Sequence, residues 1–300
     1  MSNENLHVAL KKKDDEYYTF LADVENECNH YTSLFKDKNI FLPCDDTSSA
    51  FWKYFYNHFN EFQLKSLTAT SLNMPNGNYF YTSNGIDISH KSLIGNGDFQ
   101  SQEVQEIIKI ADIVVTNPPF SLFRKLIELL ESYNKLYLLI GNENTLASTI
   151  IFPLIKDEKV HLGFNKIKTF MQPNGDIKTF GNISWFTNLP IEKEIEPLTL
   201  TKMYNPEINL EYDNFQAINV DRITDIPMDY YGVMGVPVSY MTKHNKEQFK
   251  ILGLAAGNTK VNGLNFTVKY TPSKLDRGGC GVVKGIRKYS RVFIQRKDIK

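Results

Sequence analysis

The chain has 300 residues, 42% hydrophobic and 23% charged, with zero formal net charge. That length supports one large α/β domain or a core domain with a smaller module, and no run approaches the about 18 apolar residues of a membrane span. Cys28, Cys44 and Cys280 are odd in number and widely spaced, which fits a reducing cytoplasm and argues against a structural zinc site, so no metal is expected.

In chain order, residues 1–15 are polar, lack the apolar core of a secretory signal and read as a lightly held arm. Residues 23–35 read as helix. Asn39 to Pro43 is a short apolar run, expected as a buried strand. Asp45, Asp46, Thr47 and Ser48 are all N-cap candidates for an aromatic helix expected over Ala50 to Phe62. A second strand is expected over Leu64 to Leu72, further β structure over Tyr79 to Ile88, and a short helix over Val104 to Ile110. Ala111 to Thr116 is a β-branched strand that runs straight into Asn117. An amphipathic helix follows over Phe123 to Tyr133, then a buried strand over Lys135 to Ile140 closed by Gly141-Asn142. Ile150 to Ile155 and Val160 to Phe164 continue the pattern.

Short apolar strands alternating with helices predict an α/β fold with a mostly parallel, doubly wound sheet, which binds ligands at the carboxyl ends of its strands. That rule sets Cys44-Asp45-Asp46 and the Asn117 to Phe120 segment on one edge. After about residue 195 the alternation fades. A catalytic domain over 1–195 and a smaller α+β module over 196–300 are therefore expected.

Asn117-Pro118-Pro119-Phe120 carries the chemistry. An exocyclic amine on a base is a poor nucleophile because its lone pair is delocalised into the ring. Two acceptors that take both N–H protons turn the lone pair outward. The Asn117 side-chain oxygen and the Pro118 carbonyl can be those acceptors, the prolines hold them in place, and Phe120 offers a face for an extruded base. No strong general base is needed. The bland reading, a Pro-Pro turn after a strand with an incidental Asn and Phe, is weaker, because the string sits directly between a buried strand and a helix.

With these residues in view, the chain resembles the EcoRI-type adenine-specific DNA modification methylases. The matching segments are Asp15 to Thr19, Cys44-Asp45-Asp46 with Phe51 to Phe55, Gly97 to Ser101, Asn117 to Arg124, Asn182 to Asn188, Asp229 to Pro237 and Tyr289 to Ile294. The resemblance implies a Rossmann-like S-adenosylmethionine-dependent methyltransferase fold, an adenine-N6 target in double-stranded DNA and a C-terminal target-recognition module. A cognate restriction endonuclease is the further partner it implies. It implies that Tyr18 and Thr19 line the cofactor pocket, that Asp45 meets the methionine ammonium, and that Asp98 accepts from the cofactor's adenine amino group with Phe99 packed nearby. Trp185 or Phe186 would wall the flipped base. Each has a plainer reading: core for Tyr18 and Trp185, a helix cap for Asp45, a turn residue for Asp98. The usual glycine-rich cofactor loop is absent, replaced by Pro43-Cys44-Asp45-Asp46. The second strand lacks the acidic end that commonly holds the cofactor ribose, leaving Ser71 or Asn73 there.

Charge is unevenly placed. Residues 241–300 hold 14 Lys and Arg against three acidic residues, a net of +11 that the first 240 residues balance with −11. Lys284, Arg287, Lys288 and Arg291, interleaved with Gly and Tyr, read as contacts to the DNA backbone or as an ordinary basic surface. Methylation of RNA adenine, of cytosine N4 or of a protein glutamine amide fits the same motif chemistry, and a non-catalytic nucleic-acid-binding protein of this fold is the alternative from a different class.

Overall fold

The computed structural model describes residues 17–72, 76–190, 193–260 and 268–297. The arm expected over 1–15 lies outside them, as does Asn73. The chain divides into two compact units, Met1–Glu143 with Lys159–Ile191, and Asn144–Glu158 with Glu192–Lys300.

The first unit holds β1 (Asn39–Pro43), β2 (Ser66–Ser71), β3 (Asn78–Thr82), β4 (Ser89–Ser92), β5 (Ile113–Thr116), β6 (Leu136–Asn142), β7 (His161–Met171) and β8 (Ile177–Thr187). They form one sheet in the order β4-β3-β2-β1-β5-β6-β8-β7. The central strands β2, β1, β5 and β6 pair in parallel, and antiparallel pairs close both edges. The sheet is thus mixed, with its parallel part at the centre. Those central strands are the near-continuous apolar runs, as strands covered on both faces must be.

Helices lie on both faces. Alternate strand residues, among them Ile40, Leu42, Leu67, Ile113, Val115 and Ile140, pack against α1 (Leu21–Cys28), α2 (Thr32–Phe35) and α3 (Ala50–Asn57). On the opposite face lie α4 (Gln102–Ile110) and α5 (Phe123–Ser132), where Phe123 meets Phe186 at 5.0 Å. The N-cap of α3 is Ser49, whose hydroxyl accepts from Trp52 N at 3.0 Å. None of the four residues before it caps the helix; Asp46 instead accepts from the Ser48 amide and hydroxyl.

A buried carboxylate locks α1 to β7. Glu27 accepts from Tyr31 Oη at 2.6 Å, Phe164 N at 2.8 Å and Asn165 N at 2.7 Å, where the β7–β8 register shifts between Leu162 and Lys166. The bulge exposes two amides, and Glu27 satisfies both.

The second unit contains α6 (Ile151–Lys156), β9 (Ile218–Asn219), β10 (Val233–Pro237), β11 (Phe249–Ala255), β12 (Val282–Val283), β13 (Ile286–Arg287) and β14 (Arg291–Arg296). Four of these strands make a sheet in the order β11-β14-β10-β9, and β12 and β13 form a separate hairpin. Tyr212, Phe215, Leu252 and Phe293 lie in its core. The apolar run at 150–155 therefore belongs here rather than to the first sheet. No helix among the described residues is long and apolar enough to cross a membrane.

Candidate active site

From β1 the chain goes to β2 on one side, and it returns through β5 on the other. Loops that leave adjacent parallel strands in opposite directions open a crevice at their carboxyl ends, and this is where such sheets bind ligands. Asp45 follows β1 and Asn117 follows β5. The two strands are hydrogen-bonded neighbours, in register at Ile40 with Ile113 and Phe41 with Val114. A cavity of about 230 Å³ lined by Asn39, Ser66, Tyr79, Tyr81 and Ile110 lies at the amino ends of these strands, the wrong edge for that chemistry.

The Asn117 side chain is tethered through its nitrogen. Nδ2 donates to the Tyr17 carbonyl at 2.7 Å and to Thr19 Oγ1 at 3.3 Å. Among the described residues its Oδ1 is buried without a hydrogen-bond partner. Nor does any hydrogen bond from the described residues reach the Pro118 carbonyl, whereas the Pro119 carbonyl accepts from Leu122 N at 2.8 Å and starts the turn into α5. Among the described residues, two neighbouring acceptors are thus left without donors. An unpaired buried acceptor costs about 1–3 kcal/mol, so this arrangement asks for a ligand donor.

Asp45 is held against the same strand end. Its amide donates to the Thr70 carbonyl at 3.0 Å, and Thr116 Oγ1 lies 3.1 Å from Asp45 Oδ2 and 2.6 Å from the Pro43 carbonyl. Burial pushes the Asp45 carboxyl up to about 7; hydrogen bonds from Ser49 and Thr116 pull it partly back, and Asp46 adds to the rise. A carboxyl in this state is short of a cation. Thr70 Oγ1, at the end of β2, is also buried without a partner among the described residues. A part-buried carboxylate, an orphan hydroxyl and an orphan amide oxygen at the ends of three adjacent strands fit a polar cofactor bearing an ammonium group.

Asp98 is buried and sits beside the end of β2. Gly97, at φ +84°, lies so close to the Ser71 carbonyl that no side chain would fit between them. The side-chain hydrogen bonds of Asp98 run through Oδ1 to Gln100, and its backbone carbonyl accepts from Ser101 N at the start of α4. Asp98 is therefore a turn residue whatever else it does. Phe99 is core, 1% exposed. Tyr18 is half exposed and forms a backbone bridge with Met171, while Thr19 joins the Asn117 tether.

The aromatic surroundings of Phe120 differ from the expectation. Trp185 and Phe186 are both fully buried and point to opposite faces of β8. Trp185 packs at 6.0 Å against Phe51, and Phe186 against Phe123, so both rings are engaged in the core. Phe120 is instead stacked on Tyr17 at 5.6 Å and flanked edge-on by Phe180 at 5.9 Å and Phe170 at 6.3 Å. Lys178 Nζ donates to Tyr17 Oη at 2.9 Å. Tyr17, Thr116, Phe170 and Phe180 were not singled out from the sequence. Tyr17 and Thr116 directly adjoin residues that were; the two phenylalanines had no such signal.

In the second unit the four expected cations divide into two pairs. Lys284 and Arg287 are exposed and form no ion pair among the described residues. Lys288 Nζ lies 3.3 Å from Asp221 Oδ2, and Arg291 Nη2 lies 2.8 Å from Asp221 Oδ1. Arg291 is only 7% exposed and is paired with that carboxylate, unlike the exposed Lys284 and Arg287.

Fold and site together define an α/β amino-group methyltransferase architecture, with the Asn-Pro-Pro-aromatic loop at the switch point of the sheet. Residues 5–84 and 76–297 match the family described as adenine-specific methyltransferase EcoRI, and the chain belongs to that family. It is 39% identical over 305 residues to Type II methyltransferase M.EcoRI of Escherichia coli, covering 87% of this chain and 94% of that one. Identity is 35% to Type II methyltransferase M.MgeORF184P of Mycoplasma genitalium, covering 97% and 98%. It is 32% to Type II methyltransferase M.MpnI of Mycoplasma pneumoniae, covering 97% of each. No solved structure matches the chain.

Proposed function

We propose that this protein is an S-adenosylmethionine-dependent DNA methyltransferase that modifies the N6 amino group of an adenine flipped out of a duplex. The observation that carries this reading is a pair of acceptors, Asn117 Oδ1 and the Pro118 carbonyl, that no donor among the described residues reaches, one residue apart on a Pro-stiffened loop. An exocyclic amino group has two N–H donors, and two fixed acceptors satisfy both. Held so, the nitrogen lone pair leaves conjugation with the ring and points away from the loop.

The tether to the Tyr17 carbonyl and Thr19 keeps Asn117 Oδ1, not Nδ2, facing the substrate. Phe120 stacks on the base, and Tyr17 with Phe180 supplies the remaining aromatic wall in place of Trp185 and Phe186. S-adenosylmethionine supplies an electrophilic methyl group when bound. Asp45 would meet its ammonium as a carboxylate, Thr70 Oγ1 is the polar atom offered at the end of β2, and Asp98, buried beside that strand end with Phe99 in the core behind it, would accept from its adenine amino group. The developing positive charge on nitrogen is held by the two acceptors, and its proton leaves after transfer.

The test is incubation of the protein with methyl-labelled S-adenosylmethionine and duplex DNA, followed by digestion to nucleosides. Label in N6-methyladenine that is lost in Asn117→Ala, in a variant that melts cooperatively, is the expected result. Label in cytosine, label only in RNA, or no label on varied DNA would refute the reading. Sequencing the modified DNA then gives the recognition site, which a cognate restriction endonuclease would share.

A further inference from the structure

The hairpin β12–β13 has properties that catalysis at Asn117 does not require. Its two turn residues both have positive φ, Lys284 at 49° and Gly285 at 73°, the geometry of the tightest hairpin turns. Asp213 clamps the tip: its two carboxylate oxygens accept from Lys284 N at 3.1 Å and Gly285 N at 2.8 Å. Below the tip, Lys288 N donates to the Gly281 carbonyl at 2.8 Å, and Asp221 holds Lys288 and Arg291 at its base. Burial alone would raise the Asp221 carboxyl, but the Asn219, Arg291 and Lys288 contacts outweigh it and hold it below the usual range, so this anchor is charged near neutrality.

What this stiff ribbon displays is unusual for a solvent-facing loop. Val282 and Val283 are buried, but Ile286 is 69% exposed and Tyr289 is 89% exposed. Lys284 and Arg287 flank them without ion-pair partners among the described residues. Large apolar groups cost free energy in water, and a clamped hairpin cannot fold them away. Cations on the rim with apolar groups between them match the DNA surface, where phosphates border base edges and thymine methyls. The major groove is about 12 Å wide and admits a two-stranded β-ribbon.

We propose that the β12–β13 hairpin enters the major groove of the substrate duplex, with Ile286 and Tyr289 contacting base edges and Lys284 and Arg287 contacting phosphates. This rests on the DNA methyltransferase reading and adds which residues determine its specificity. Lys288 and Arg291 stiffen the ribbon and do not touch the duplex.

The test uses the full chain and two fluorescent duplexes, one carrying the sequence found methylated and one scrambled, with binding followed by anisotropy from low to moderate salt. Ile286→Ala and Tyr289→Ala lower the ratio of specific to scrambled affinity roughly tenfold each, and leave scrambled binding near wild type. Lys284→Ala and Arg287→Ala weaken both duplexes alike, and each reduces the slope of log affinity against log salt by about one. All four positions are exposed, so thermal melts should match wild type. Unchanged specificity in both apolar variants overturns the proposal, as does an unchanged salt slope in both cation variants. A wild-type protein that methylates DNA while the hairpin variants behave as wild type sinks this inference alone. A wild type that neither binds nor methylates any duplex sinks the function reading beneath it.

Discussion

Replacing Asp45 by Asn separates the cost of keeping a carboxylate in the crevice from its use. The carboxyl is raised from an ordinary 3.8 to about 7, which corresponds to roughly 4 kcal/mol of disfavoured ionisation, an upper bound for a group that is only partly buried. Because the folded state binds the proton more tightly, it carries more protons than the unfolded chain between about pH 4 and 7. Stability contributed by Asp45 is therefore complete below about pH 4 and is lost as pH rises through 7. Asp45→Asn removes that loss. Thermal melts without cofactor are expected to show the variant equal to wild type at pH 4 and more stable at pH 8, by about 2–4 °C for each kcal/mol recovered. Calorimetric titration with S-adenosylmethionine should show the reverse: wild-type affinity climbs about tenfold per pH unit toward 7 as the carboxylate forms, and the variant binds weakly with no such slope. Parallel stability–pH curves for wild type and variant would refute the argument.

Three further perturbations probe the frame around this group. Thr116→Val removes a hydrogen bond that favours the ionised Asp45, so the pH at which cofactor binding strengthens should move upward; a curve superimposable on wild type would mean that Thr116 serves only the Pro43 carbonyl. Glu27→Ala strands the Phe164 and Asn165 amides in the β7 bulge, and should lower stability by roughly 3 kcal/mol, read as a shifted urea midpoint at unchanged slope. Trp185→Phe removes a buried indole N–H that has no acceptor among the described residues. It should leave stability within about 1 kcal/mol of wild type and DNA methylation unchanged, whereas a large loss of methylation at equal stability would return Trp185 to the base pocket.

Legibility in the sequence follows from how local each signal is. A strand buried on both faces writes itself as a continuous apolar run, so β1, β5 and β6 could be read, and with them the loops that carry Asp45 and Asn117. The switch-point rule then set both loops on one edge without any knowledge of side chains. The long ribbons β7 and β8 were visible only in part because most of Thr169 to Thr179 is exposed and polar, and a half-covered ribbon has no apolar run. Trp185 and Phe186 looked equivalent, but adjacent strand residues face opposite ways, and only the packed helices show that both directions lead into core. The pairing of Arg291 with Asp221, 70 positions apart, has no local signature at all, so its burial against that carboxylate could not be read from the basic run. Residues 144–158 joined the second unit for the same reason: a six-residue helix reads alike on either side of a boundary.

The tether on Asn117 has a practical consequence for engineering this protein. Its strong partner is a main-chain carbonyl, which every residue possesses, so replacing the Tyr17 side chain leaves this anchor in place and perturbs only the ring that stacks on Phe120. Trimming the chain to begin at Phe20 preserves every atom of the Asn-Pro-Pro-Phe loop yet removes both partners of the Asn117 amide nitrogen, so nothing among the described residues then fixes which way that amide faces.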